Sequence, residues 1–243
     1  MNASSSREAS TAGAQNKRDH VSERLSRERV LAAALTMVDT EGLNVLSMRR
    51  LGQRLGCNPM SLYRYFPNRA ALLDALVEFV LKQLPVSNLT DEEDWQAQLR
   101  AGGHQFRELA IAHPNVVPLL VAQPLTTPLG LRPVGTLQLL EQLLALLTRA
   151  GLTVDNALHV ARTFTGCLVG HVLNELQQLT VDPAEPEPLY RLGLHRLPRP
   201  QFPQLLSAAP QLAHYDGAIE LDFTLDVLFT GLTTQLTLPP FRK

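Results

Sequence analysis

The chain has 243 residues, 45% hydrophobic and 19% charged, with a formal net charge of −1, enough material for a large buried core without disulfide or metal staples. Its two cysteines, Cys57 and Cys167, match neither a disulfide framework nor a metal-ligand spacing and read as small buried hydrophobes in a reducing cytoplasm. No run approaches the roughly 20 uninterrupted apolar residues of a membrane span, and no apolar segment follows the basic start, so neither a secretory signal nor a membrane anchor is expected.

The net charge conceals an asymmetry. Residues 1–69 hold 11 Lys+Arg against 6 Asp+Glu, net +5, which leaves 11 and 17, net −6, for residues 70–243. The basic end is therefore the candidate surface for a polyanion. Isoleucine occurs only at Ile111 and Ile219, strand-like alternation is absent, and leucines recur at spacings of three and four, so the expected fold class is all-α.

Taken in order, residues 1–25 read as a disordered arm. Ser26 caps a first helix with Glu28 in its first turn and an apolar stripe of Val30, Ala33, Ala34, Met37 and Val38, ended by Gly42. Ser47 caps a second helix whose Leu51 and Leu55 face inward and which stops at Gly56. Asn58 caps a third, with Pro59 at its first position and Pro67 beyond its end. Asn68 starts a fourth, carrying Leu72, Leu73, Leu76, Val77, Val80 and Leu84 up to Pro85.

Beyond a connector over 85–90, the acidic stretch from Asp91 to Asp94 suits the start of a helix that runs to about Ala112. Prolines 114, 118, 124, 128 and 133 allow only short or kinked pieces. No proline occurs from Val134 to Asp182, where Gly151 and Thr153 divide two long helices. Six prolines over 183–203 predict an irregular surface loop. The last helices fall at about 202–214 and 217–237. The final one is apolar on two sides: Ala218, Leu221, Leu225, Leu228 and Leu232 on one, Ile219, Phe223, Val227 and Thr230 on the other. The helix over 154–179 likewise shows Leu158, Ala161, Thr165, Leu168, Val172 and Leu176 against Val160, Phe164, Cys167 and His171, with Gly166 and Gly170 permitting close approach. Helices with two apolar faces have two partners. Two of them from each of two chains would form an intersubunit four-helix bundle in a homodimer.

The second and third helices, joined by the turn "GCNP", have the dimensions of a helix-turn-helix. Leu62 and Phe66, four apart, would pack inward and leave Met60, Ser61, Arg64 and Tyr65 outward, with Tyr63 at the rim. Arg64 suits a bidentate contact to guanine and Met60 a thymine methyl. Ser47, Tyr63, Tyr65 and Arg69 suit phosphate oxygens, while Arg49 reaches either. The module is thus expected to bind a double-stranded DNA operator; the competing reading is a helical protein-interaction module without a small-molecule effector. No HExxH, nucleophile elbow or phosphate-cradling glycine loop is present, so no catalytic or metal-binding residue and no cofactor is expected, although His171 and Glu175 share a helix face at i, i+4.

The segment "RVLAAALTMVDTEGLNVLSMRRLGQRLGCNPMSLYRYFPNRAALLDALVEFVL", residues 29–81, resembles the N-terminal domain of the tetracycline-repressor (TetR) family, above all in "LYRYFPNR" and "LLDAL". "WQAQLR", "LTRAGLTVDNALHV", "LVGHVLNELQQ" and the stretch from "FPQLLSAAP" onward are similar in order and spacing to the core of the tetracycline repressor that gives the family its name. The resemblance implies a cytoplasmic, homodimeric, ligand-responsive regulator, a repressor or, depending on operator position, an activator. Its helix-turn-helix head would span residues 26–68, its linking helix 69–85 and its ligand-binding and dimerisation domain 86–243. It implies Arg49, Pro59, Met60, Ser61, Tyr63, Arg64 and Tyr65 as the DNA-facing set, with Arg69 on phosphate. Phe106 matches an aromatic wall of the drug pocket. The polar drug-holding positions appear here as Pro85, Gly102 and Leu143, and Asn174 stands where a partner-chain carboxylate assists a metal-chelated drug. Phe106, Leu120, Leu143, Phe164, Cys167, His171 and Asn174 are therefore expected to hold a mostly hydrophobic effector rather than a tetracycline.

Overall fold

The computed structural model describes residues 25–84, 94–121, 128–178 and 185–236, and every regular element among them is helical. The arm over 1–24 and the connector over 85–93 lie outside the described residues.

Four helices make the N-terminal part, each started by the residue just before it. Helix α1 (Arg27–Glu41) begins where the Ser26 hydroxyl accepts from the Arg29 N–H at 3.1 Å. Gly42, at φ +84°, turns the chain into a single 3-10 turn over Leu43–Val45. Ser47 caps α2 (Met48–Leu55) by accepting from the Arg50 N–H. Gly56 ends it in the left-handed conformation (φ +66°, ψ 28°), which costs glycine nothing sterically. Asn58 caps α3 (Pro59–Leu62), where Pro59 lacks only an N–H that would have had no helical partner. Asn68 caps α4 (Arg69–Leu81). The apolar positions these starts bring into phase close one cluster, with Val30, Val38, Leu51, Leu62, Leu72 and Leu76 almost wholly buried. At roughly 1.5 to 3 kcal/mol per fully buried aliphatic side chain, this burial outweighs the weak helix tendency of such short segments.

The C-terminal part is built on α5 (Trp95–Ala112), α7 (Val134–Arg149), α8 (Val154–Gln178) and α12 (Gly217–Leu236), with a short α6 (Val117–Val121) and a 3-10 turn (Leu129–Leu131) between the first two. Trp95, Leu99, Leu147, Val160, Phe164, Leu168, Leu221, Leu225 and Phe229 form its core, and Trp95 meets Phe229 edge-on at 5.8 Å. An exposed strap ties α5 to α12. Arg100 donates to Asp222 at 2.7 Å and to Asp226, while His104 Nε2 lies 2.9 Å from Asp222. The His104 contact and then the Arg100 contact hold the Asp222 carboxyl below its ordinary range.

Besides the chain itself and the packing of α4 on α6, two connections fix the N-terminal part on this core. Asn115, after α5, donates to the Val38 and Asp39 carbonyls of the last turn of α1, and His113 Nδ1 sits 2.9 Å from Asp39 Oδ2. At the other contact, α4 packs on the start of α7. The apolar cluster of the head runs through α4 to Val80 and takes in Leu109 and Val116, so packing is continuous across residue 69.

Three expectations are corrected. The proline-rich stretch is not irregular where it is described: α9 (Pro188–Arg191) and a 3-10 turn (Leu194–Arg196) lie within it, and α10 (Pro203–Ser207) follows. Pro188 and Pro203 each stand in the first turn of a helix, where proline is favourable, so these prolines start helices as well as ending them. The single helix expected over 202–214 is two, α10 and α11 (Ala209–Leu212), because Pro210 has no N–H for the Leu206 carbonyl. The second apolar face expected on α8 also belongs to its own subunit. Val160 is fully buried and Phe164 is 7% exposed in the core, while the open face carries Arg162, Thr163, Thr165, Gly166 and Leu173.

Candidate nucleic-acid interface

A polyanion-binding surface needs cations that the protein has not already neutralised. The head has several arginines, and the structure sorts them. Arg50 and Arg54 both reach Glu41, at 2.8 and 3.3 Å. Arg27 lies over the Phe66 ring, 5.3 Å from its centroid. Arg69 donates from Nε to the Leu46 carbonyl at 2.9 Å and from Nη2 to the Leu43 carbonyl at 3.1 Å. Arg49 and Arg64 are exposed and have no ion pair or hydrogen bond among the described residues.

These two stand at the start of α2 and just past α3, the helices that Gly56 folds against each other. The approach is tight: a Cβ added to Gly52 would lie 3.1 Å from Pro59 Cγ and 3.1 Å from the Cys57 carbonyl oxygen. With Leu62 and Phe66 buried beneath it, α3 must turn its remaining side chains to solvent. Met60 is 69% exposed and Tyr63 44%, and the neighbouring Arg64 is exposed with them. The short rod presents a thioether, a phenol and a free guanidinium, the groups that touch a thymine methyl, a phosphate and a guanine edge. Ser47, Pro59 and Ser61 sit half-buried behind it, with Ser47 spending its hydroxyl oxygen on the α2 cap.

Tyr65 and Arg69 are placed differently from the expectation. Tyr65 packs against the head cluster and its hydroxyl donates to the Leu25 carbonyl, so it is turned away from the outer face. Arg69 holds the 3-10 turn between α1 and α2 through two carbonyls, that of Leu46 and that of Leu43, which also accepts from the Leu46 N–H. Both residues tie the ends of the head together, and neither offers its main donor outward.

In the core, three of the seven residues expected around an effector, Phe106, Leu143 and Phe164, join one apolar cluster. Leu120 and Cys167 are half-buried outside it, and Asn174 is exposed. His171 Nε2 lies 2.9 Å from the Gly217 carbonyl. Its neighbour Glu175 is 4% exposed and is gripped by Arg107, whose Nε and Nη2 donate to its two oxygens at 2.8 and 2.5 Å. That bond raises the Arg107 pKa above its already high ordinary value. The pairing of His171 with Glu175 inferred from their spacing is thus secondary, at 3.7 Å. The residue missed from sequence is Arg107, 68 positions earlier. Two clefts open elsewhere. One, of about 200 Å³, lies between α4 and α7, and another, of about 240 Å³, lies under residues 189–206. None of the seven residues lines either.

Residues 30–76 match the family described as bacterial regulatory proteins, tetR family, and residues 88–236 match the tetracyclin repressor-like C-terminal domain. The chain belongs to the TetR family. It is a transcriptional regulator with a helix-turn-helix DNA-binding head and a helical core. Over 220 residues, 88% of this chain and 92% of the relative, it is 29% identical to the class D tetracycline repressor protein of Escherichia coli. It is 33% identical to the transcriptional repressor DrrR1 of Streptomyces coeruleorubidus over 156 residues, 63% of this chain and 55% of that protein, so the match spans about half of DrrR1. Among solved structures, a possible TetR family regulator from Streptomyces coelicolor A3(2) is 27% identical with a TM-score of 0.69, covering 86% of this chain and 99% of that one. ActR of Streptomyces coelicolor, in complex with (S)-DNPA, is 25% identical with a TM-score of 0.66, covering 86% and 98%. No helix among the described residues is long and apolar enough to cross a membrane.

Proposed function

We propose that the chain is a homodimeric repressor that holds a pseudopalindromic operator through Arg49, Met60, Tyr63 and Arg64, with Ser47, Pro59 and Ser61 at the contact's edge. A small, mostly hydrophobic molecule entering the helical core releases it. The observation that carries the reading is the pair of uncommitted arginines, Arg49 and Arg64, flanking a rod whose Met60 and Tyr63 are left in solvent. Phosphate contacts fix register and base-edge contacts read sequence, and this surface holds donors for both.

A twofold partner is supported by the outer face of α12. Ile219 and Phe223 are each 66% exposed and Val227 is 59% exposed, a stripe that water would otherwise cover at a cost. Beside it on α8, a Cβ added to Gly166 or Gly170 would meet nothing within 4 Å, which leaves room for a second helix to approach. Two heads about 34 to 36 Å apart would enter successive major grooves on one face of the duplex. The effector reading draws support from ActR, solved with a bound small molecule. Phe106, Leu143 and Phe164 supply its apolar walls, with Leu120, Cys167, His171 and Asn174 around them. The regulator works in the cytoplasm, where its operator is.

Selection of duplexes from a random pool by the full-length chain tests the reading. An inverted repeat is expected, bound with an affinity that falls steeply with salt as phosphate contacts release counterions. Recovery of no preferred sequence, or binding indifferent to salt, would refute it.

A further inference from the structure

The start of α7 lacks what every helix of the head has. Its preceding residue is Pro133, which offers no side-chain acceptor, so its first N–H groups need a partner from elsewhere. Glu78, on α4 and 56 positions earlier, provides one: its Oε1 accepts from the Val134 N–H at 3.1 Å. A carboxylate at this end of a helix is also favoured by the macrodipole. The neighbouring Gly135 is buried against the same residue. A Cβ there would lie 3.2 Å from Glu78 Cγ and 3.3 Å from Glu78 Cα. The second of these atoms is backbone and cannot rotate away, so an added methyl would press α4 and α7 a few tenths of an ångström apart. Toward the end of α4 the two helices part, and the cleft between them is walled by Leu81 and Leu84 on one side and Gln138 and Gln142 on the other.

We infer that Glu78 and Gly135 are the pivot of the linking helix: they pin α4 to the start of α7, and beyond them a cleft separates the two helices while Val80 and Leu81 stay packed. Glu78 is a positioning residue that sets the orientation of the head without touching DNA. A shift of α7 in the core passes to the head through the Glu78 carboxylate, and a displacement of α4 uncaps α7. This rests on the operator-binding reading above. The stripe of α12 and the arginines of the head play no part in it.

Three variants of the full-length chain test the pivot: Glu78→Ala, which removes the acceptor, Glu78→Gln, which keeps an oxygen acceptor, and Gly135→Ala, which pushes the helices apart. Two quantities are measured on each, the Kd for the duplex selected by the unmodified chain and the head-to-head distance distribution from one spin label at Thr36. The label is attached through a genetically encoded ketone so that both cysteines stay native. Glu78→Ala is expected to bind about five-fold or more weakly, the lower end of ordinary allosteric coupling, with a broadened distance distribution, while Glu78→Gln stays within about two-fold of the unmodified chain. Gly135→Ala is expected to shift the mean distance. Unchanged affinity and distances in both alanine variants overturn the pivot, as does a lowered melting temperature with no change in distance. Glu78→Gln behaving as Glu78→Ala overturns the hydrogen-bonding role. If the unmodified chain selects no duplex, the operator reading fails instead, and the distance distributions still decide the pivot.

Discussion

The head and the core solve the same problem, closing helix ends and hiding apolar faces, over different distances along the chain. In the head, Ser26, Ser47, Asn58 and Asn68 each cap the helix that begins at the next residue. In the core, Asp94, Thr153 and Asp216 also cap their helices locally, but α7 is capped from α4, and Glu175, the one buried carboxylate among the described residues, is held by an arginine on another helix. The head, with every helix start capped locally and its ends tied by Tyr65 and Arg69, can lend two unpaired arginines to a partner. The core is held by distant pairs that a shift between helices can make or break. A switch needs both, a firm reading element and a body with more than one arrangement.

If the core depends on long-range pairs, cutting one should damage it most. Glu175→Ala leaves the half-buried Arg107 guanidinium without its counter-charge and is expected to lower stability by about 3 kcal/mol, the lower end for breaking a buried pair, read from urea unfolding. A loss under 1 kcal/mol would mean that the pair is not what holds α5 to α8. The head should fail through its packing. Leu62→Ala, at a site with no solvent exposure, is expected to cost about 2 to 4 kcal/mol and to abolish DNA binding, with the core's melting transition retained.

The sharper comparison concerns Arg69. As a tie within the head, Arg69→Ala should cost about 1 to 2 kcal/mol of stability, leaving the salt dependence of DNA binding unchanged. A salt slope smaller by about one would instead mark a phosphate contact. The smallest effect belongs to the exposed strap. The folded-state pKa of Asp222 is depressed, so its contribution is present above the ordinary carboxyl value of 3.8 and is lost as the pH falls through the lower folded value. The side chain is 48% exposed, and solvent screening keeps the contribution to a few tenths of a kcal/mol, about the value of an exposed ion pair. The stability gap between the unmodified chain and Asp222→Asn should therefore be small at pH 6 and vanish near pH 2.

The same difference in distance explains what could be read before the structure. Caps, glycine turns and the i, i+4 pair Leu62 and Phe66 are chemistry between near neighbours, and they appear in the fold where the sequence placed them. Tyr65 and Arg69 bond within the head in ways that periodicity does not announce, because their partners, the Leu25 carbonyl 40 residues away and the Leu43 and Leu46 carbonyls 26 and 23 away, leave no local mark. On α8, apolar residues lie around much of the helix, so periodicity alone could not say that Val160 and Phe164 face inward and Gly166 outward. Prolines between 183 and 203 read as breakers by composition, although at the first turn of a helix the same ring is an initiator. Glu78 carries no motif at all, since a glutamate within a helix looks like any solvated residue until α7 is laid beside it.

The central claim is that Arg64 reads bases, and the ratio of two affinities tests it most directly: that for the selected duplex over that for a scrambled one, in the unmodified chain and in Arg64→Ala. The account predicts that the ratio falls by about ten-fold, within the 1 to 3 kcal/mol of a bidentate base contact, with no loss of melting temperature. Equal weakening on both duplexes, with the ratio unchanged, would contradict it.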